Sequence, residues 1–350
     1  MRREFTTVSA DLLSVRGEPA TNSEPPIDEI SQNTRVEVLE RFDDPTWVKI
    51  SYGDGKNGYV NSEHLWRATG LYEGETYRWN MNLQKAANWL KRKAKSNGNY
   101  TIVLGEDEAV NPITLSFKNK EVSITLITNG ATECNVRYGK TDRSLITVGS
   151  GATFTMEEGI NFVGQQNDTS LRMIRVEGGT FIMNGGSIKD NTGSSYGGGV
   201  VVVNGTFIMN NGSISGNASG SGGGVNILSG SFTMNNGTIS GNSCGYWGGG
   251  VNVYRGNFTM NNGIISGNKA KYGGGVSVDE NSTFIKSNKA GTIYGSNAAD
   301  NLANKASSNN NGHAVVLSDS DDKVVRVRNS TAWATQLVDS SQRGAAGGWQ

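Results

Sequence analysis

Three aromatic residues at one phase of a repeat, Tyr196, Trp247 and Tyr272, have the types and spacing best suited to recognition chemistry. Each stands directly before a glycine triplet (197–199, 248–250 and 273–275), and Ser221 holds the matching place before 222–224. A row of aromatic faces suits stacking on sugar rings, with the glycines keeping the adjoining backbone low. The same rings serve equally as covers for bare glycine backbone. A second set, Trp47, Tyr52 and Tyr59, lies near the start of the chain and suits either a ligand groove or a core.

Acid–base chemistry is poorly supplied. Glycoside cleavage uses two carboxylates flanking the scissile bond, and a lyase-type centre uses clustered Asp for a cation together with a basic side chain. Within residues 178–278 the acidic residue is Asp190 alone, and the bases are Lys189, Arg255, Lys269 and Lys271. Asp319, Asp321 and Asp322 cluster beyond that stretch, in what reads as a solvated loop. His64 and His313 are far apart in sequence, so no histidine metal site is expected. Cys134 and Cys244 are 110 residues apart. At about four repeats that is ~20 Å of stacking, too far for a disulfide, whose Cα atoms lie within ~7 Å. The expectation is a chain with no catalytic residue, no metal and no cofactor.

The elements that must position the aromatic row follow from the repeat. Phe181, Phe207, Phe232, Phe258 and Phe284 recur at steps of 26, 25, 26 and 26 residues, and Val200, Val225, Val251 and Val276 close the four glycine triplets at similar steps. A fixed period of 20–50 residues marks a solenoid or array. Inside each unit, apolar residues alternate in bursts of three or four, as in Val251-Asn252-Val253 and Phe258-Thr259-Met260, between Gly and Asn-Gly turns. Period-two alternation reads as strand, which gives three short strands per ~25-residue rung. Such a unit cannot bury its own apolar face and must stack on copies of itself.

The outcome is a parallel β-helix. Stacking at ~4.8 Å puts the five phenylalanines in one internal column, with Met183, Met209, Met234 and Met260 in a second and Ile188, Ile214, Ile239 and Ile265 in a third. Asn191, Asn217, Asn242 and Asn268 are expected to form an amide ladder at a turn. Looser rungs at 101–104, 124–127, 145–148 and 154–156 extend the pattern upstream, for a solenoid over 100–317. Ahead of it, 67–99 reads as a linker and an amphipathic capping helix. Leu83, Ala86, Ala87, Leu90 and Ala94 lie on one face, basic residues cover the other, and Gly98 is the stop. The tail, 318–350, is expected to lay a strand or two over the last rung.

Composition agrees with this organisation. Of 350 residues 48 are Gly and 5 are Pro, and 28 of the glycines fall within 178–275. Collagen is excluded by the lack of a three-residue glycine period, and a helical bundle by the cost of interior helical glycine, about 0.8–1 kcal/mol each. Lys+Arg number 32 and Asp+Glu 32, so no electrostatic case exists for nucleic acid or an anionic membrane. No run approaches the ~18 apolar residues of a membrane span. The first residues lack a signal-peptide stretch, which leaves open both a cytoplasmic protein and an exported one whose leader lies outside this chain.

Residues 7–66 follow a different logic, with short β-rich runs joined by turns and Gly53-Asp54-Gly55 at a hairpin. Leu13-Ser14-Val15-Arg16, Thr34 to Val38, Trp47-Val48-Lys49-Ile50, Asp54-Gly55-Lys56-Asn57-Gly58-Tyr59-Val60 and Leu65 resemble the motifs of the bacterial Src-homology-3-like (SH3b) domain. Ser14 stands where that family usually has Asn, and Tyr59 where it usually has Trp. The resemblance implies a small β-barrel of a kind that often binds cell-wall peptide or glycan. The remainder resembles the pectin-lyase-like superfamily, in particular the Gly/Asn-rich repeats of bacterial envelope-associated proteins, and this resemblance implies a right-handed coil. Together the resemblances imply an all-β, cell-surface or extracellular protein attached to polysaccharide, peptidoglycan or a host glycan. A polysaccharide lyase or hydrolase of the same superfamily and a phage or secreted fibre are the alternatives.

Overall fold

A computed structural model describes residues 4–334 apart from 9–11, 20–24, 32–33, 42–45, 62–64, 66–69, 75, 80, 130–132, 140–143, 166–171, 194–195, 287–290, 295–300, 302, 308–314, 319–326 and 330–331. His64, His313 and the cluster Asp319, Asp321 and Asp322 lie outside the described residues.

The N-terminal unit is built from β1 (Glu4–Thr7), β2 (Leu12–Val15), β3 (Asp28–Ser31), β4 (Arg35–Arg41), β5 (Trp47–Tyr52) and β6 (Lys56–Asn61). One sheet has the order β1-β4-β5-β6 and β2 pairs with β3, all antiparallel. Bridges from Val8 to Leu65 and from Arg16 to Tyr59 close the two ends of the unit. Val8, Leu13, Val15, Val48, Ile50 and Val60 fill its core.

From Gly98 onward the chain is a parallel β-solenoid, as the repeat period requires. Three sheets each run eight solenoid strands deep, the first containing Thr180–Met183, the second Ser187–Lys189 and the third Val200–Val203. In the first sheet the register pairs Phe154 with Phe181, Phe181 with Phe207, and so on to Phe284. From Phe181 to Phe284 ring centroids lie 4.6 to 5.1 Å apart with planes within 16° of parallel. The column begins one rung earlier than the clean repeat, at Phe154, 5.8 Å from Phe181. The methionine column begins at Met156 and reaches Met260; in the next strand Lys286 takes that position, and burial holds its pKa below the ordinary lysine value. The three strands expected per rung form, and four of the rungs add a fourth, two-residue strand (Ala218–Ser219, Ser243–Cys244, Lys269–Ala270 and Lys305–Ala306). Stacking holds these residues in register even though they carry no period-two apolar signal.

The asparagine ladder forms at the turn after the second sheet, and Asn304 extends it. Asn217, Asn242 and Asn268 each donate through Nδ2 to the next asparagine's Oδ1 at 2.9 to 3.1 Å, and that Oδ1 also accepts their backbone N–H. The second Nδ2 hydrogen reaches back to the carbonyl of Ile188, Ile214 or Ile239. All three side chains are fully buried. A second ladder, not anticipated, joins the half-buried side chain of Asn184 to the solvent-exposed side chains of Asn210, Asn235 and Asn261.

The solenoid's first rung is closed twice. Helix α1 (Leu83–Lys93) is capped by Asn82, whose side chain accepts from Lys85 N, and buries Leu83, Ala86, Ala87 and Leu90 against the first strands. Gln84 Oε1 accepts from Asn111 N, and Lys120 Nζ donates to Ala94 O, which ties both ends of the helix to the rung. The expected stop, Gly98, instead opens the first solenoid strand, β9 (Gly98–Leu104); the chain reverses at Asn97, with φ +56°. The segment expected to be a linker also contains a hairpin, β7 (Gly70–Glu73) and β8 (Thr76–Trp79), and β7 pairs antiparallel with β9. It covers the hydrogen-bonding edge of the first sheet, which a helix alone would leave open. At the other end a short hairpin, Val327–Asn329 with Ala332–Ala334, lies beside the last strand of that sheet.

Glu108 sits under α1, where its Oε2 accepts from Leu83 N at 2.8 Å. Burial pushes its pKa up to about 7, against the opposing pull of that N–H and with a smaller push from Glu106. The folded carboxyl thus holds its proton more tightly than the unfolded one. Its contribution to stability is complete below pH 4.5 and is lost as pH rises through about 7. The wild-type protein is expected to melt lower at pH 8 than at pH 5, and Glu108→Gln to reduce that difference; thermal melts at the two pH values check it. The two ladders predict a second contrast. Asn242→Ala leaves buried amide groups without partners and is expected to cost about 1–3 kcal/mol in urea denaturation. Asn235→Ala, on the exposed ladder, should stay within about 0.5 kcal/mol.

Candidate functional site

Tyr196, Ser221, Trp247 and Tyr272 occupy successive rungs as one outward column. Parallel bridges join Tyr196 to Ser221 and Trp247 to Tyr272, and Gly222 N donates to Trp247 O at 2.8 Å. Trp247 and Tyr272 stack with centroids 4.2 Å apart and planes at 20°. Lys271 Nζ lies 5.3 Å from the Tyr272 ring centroid, in cation–π range. The structure thus brings two of the three expected ridge residues into contact and leaves Tyr196 two rungs away, with Ser221 between.

The glycine triplets explain how this column stands where it does. The first glycine of each takes positive φ (+65° at Gly222, +68° at Gly248), which turns the chain sharply after the aromatic. A Cβ on the second, Gly249, would lie 2.5 Å from Gly274 O and 2.6 Å from Lys269 O. Adjacent turns therefore touch backbone to backbone, and any side chain at that position would push the column out of register.

Beside this column the outer face of the third sheet forms a trough. Its floor is Asn252 and Ser277, in the register column that begins with Val201 and Asn226. These residues point away from the solenoid core yet are buried, because the glycine turns fold over them. Asn252 Nδ2 donates to Asn226 Oδ1 at 2.9 Å, while the fully buried Nδ2 of Asn226 has no hydrogen-bond partner among the described residues. The opposite wall is Leu228, Tyr254 and Asp279, each directly after its third-sheet valine or isoleucine. The open cleft has a volume of about 500 Å³. Tyr196 is 50 % exposed, Tyr254 41 % and Tyr246, which also lines the cleft, 58 %. Aromatic rings that large and that exposed around a polar floor are complementary to a flat apolar face with polar edges. Among the described residues, Asp279 is the one charged residue lining it.

Tyr246, Tyr254 and Asp279 escaped the sequence reading. Tyr254 and Asp279 lie beyond the strand rather than before the glycines, and their rung partner is Leu228, so no repeated aromatic marks the wall. Among the described residues no three His, Cys, Asp or Glu side chains gather where they would hold a metal ion.

The expected groove of the N-terminal unit does not form as one set. Lys49 pairs with Tyr59, which places Trp47 and Tyr59 on one face of the β5–β6 ribbon. Tyr52 falls on the other, with Val48 and Ile50 in the core, because side chains alternate along β5. Burial raises the Tyr52 pKa, and Asp28 adds to that rise. Asp28 is itself held below the usual carboxylate range by Lys56, 2.9 Å away. On the other face Trp47 is buried, and Lys49 Nζ sits 5.6 Å from the ring centroid of the half-buried Tyr59.

A small β-barrel followed by a parallel β-solenoid is the class of protein this chain defines. Residues 11–65 match the family described as bacterial SH3 domain, and that stretch is one. No curated protein and no solved structure matches the chain. The combination fits an envelope-associated protein, and no helix among the described residues is long and apolar enough to cross a membrane.

No disulfide joins Cys134, in the second sheet, to Cys244, in the short fourth strand. Burial pushes the Cys244 thiol up to about 11. Since the thiolate is the reactive form, Cys244 is expected to react with iodoacetamide at pH 8 much more slowly in the folded protein than in urea. Mass-spectrometric labelling time courses check this.

Proposed function

We propose that this is a non-catalytic cell-envelope binding protein, in which the SH3 domain contacts the cell wall and the solenoid presents its trough to carbohydrate. The observation that carries the proposal is the trough itself: exposed Tyr196, Tyr246 and Tyr254 and the Trp247–Tyr272 stack, around a floor of amide and hydroxyl groups. Sugar rings offer what such a surface complements, namely apolar C–H faces with hydroxyls at the edge. Among the described residues the cleft lining holds one carboxylate, Asp279, where glycoside cleavage takes two. The solenoid is proposed to belong with the right-handed, pectin-lyase-like β-helices, with its outer surface used for attachment.

The test is binding of the full chain to purified peptidoglycan and to a glycan array. Trp247→Ala is expected to weaken array binding by roughly tenfold or more, about 1.4 kcal/mol, while leaving peptidoglycan retention through the SH3 domain in place. Release of oligosaccharide products from an acidic polysaccharide would overturn the non-catalytic proposal.

A further inference from the structure

We infer that the trough clasps a single pyranose ring at Ser221, between Tyr196 and Trp247. This rests on the carbohydrate proposal above and gives it a position.

The position follows from the rung spacing. Tyr196 stands two rungs before Trp247, with Ser221 between them, a separation of ~9.6 Å at ~4.8 Å per rung. On the far side the stack is already closed, since Trp247 and Tyr272 are in contact. Two aromatic faces gripping one ring need about 7–8 Å, twice the ~3.5–4.0 Å of carbon–carbon contact. An aromatic residue at 221 would fill the gap and make a continuous stack of four. Serine leaves it open for one ring. The spare ~2 Å suits the puckered chair of a saturated ring better than a planar heterocycle, and a ligand ring there would complete the aromatic stack.

The Ser221 rung carries Leu228 in the opposite wall of the trough. Asn252 lies one rung on, level with Trp247, and Ser277 and Asp279 lie two rungs on, level with Tyr272.

The experiment is calorimetric titration of the full chain with hexamers of N-acetylglucosamine, of glucose and of galacturonate. Wild type is expected to bind at least one of them. Ser221→Tyr should lose that binding by at least roughly tenfold while melting no lower than wild type, because it extends the existing stack. Tyr196→Ala, at an exposed position, should lose a similar factor and guards against a folding defect in the first variant. A folded Ser221→Tyr that binds as tightly as wild type, with Trp247→Ala still defective, overturns the slot and leaves the carbohydrate proposal standing. No wild-type binding to any hexamer overturns both.

Discussion

Every turn of the solenoid is hydrogen-bonded to the next at the spacing of parallel strands, and that spacing governs every side-chain choice. At ~4.8 Å, a residue's nearest neighbour is its own counterpart one rung away. Residues that attract their own kind at this distance recur: phenylalanine, whose rings stack with centroids 4.6 to 5.1 Å apart from Phe181 on, and asparagine, whose amide both donates to and accepts from a copy of itself. Residues that repel their own kind are scarce, with Lys269 opposite Lys305 an exception. A column of carboxylates or ammonium groups in parallel register would place like charges side by side, which is destabilising in any sheet. That constraint, more than any property of carbohydrate chemistry, accounts for the near absence of acids and bases from 178–278.

The same constraint shapes the ends. A stack of strands that satisfies every interior rung leaves two unsatisfied rungs, each with a bare cross-section of core and a bare sheet edge. The first rung meets both needs with separate elements: α1 covers the core, and β7 pairs with the edge of β9. Glu108 belongs to this junction. Its burial under the helix raises its pKa, and its oxygen occupies the place of a hydrogen-bond acceptor for the helix N-terminus. The cap therefore carries an ionisable group in a buried position of the sort that the repeats avoid.

What the sequence revealed, and what it concealed, follows from periodicity. The three core columns, the buried asparagine ladder and the phase of the aromatic row were legible because each repeats at 25 or 26 residues. Asn304 was not, since the last step of its ladder spans 36 residues. Hairpin β7–β8 was not, because it occurs once and its short strands have no copies to reveal them. In the barrel, Tyr52 was grouped with Trp47 and Tyr59 by residue type alone, and the alternation along β5 separates them. The trough's far wall was hidden for a related reason. Leu228, Tyr254 and Asp279 share a column but no chemistry, and a column without self-similarity leaves no mark in a repeat alignment.

Function in such an architecture must therefore arise where the repeat is broken. An unbroken column of identical aromatics would form a closed stack, as Trp247 and Tyr272 do, with no face left for a ligand. An unbroken column of serines would offer no aromatic face at all. Ser221 between Tyr196 and Trp247 is the local exception that turns a self-satisfied stack into an incomplete one. Asp279 is a second exception, a charge admitted because its neighbours in the column, Tyr254 and Ser318, are uncharged. Both exceptions fall on the outer face, where a departure from the repeat costs the core nothing. The surrounding regular rungs hold the two walls of the trough at a fixed separation, so the regularity of the solenoid is what gives its irregular positions a defined geometry.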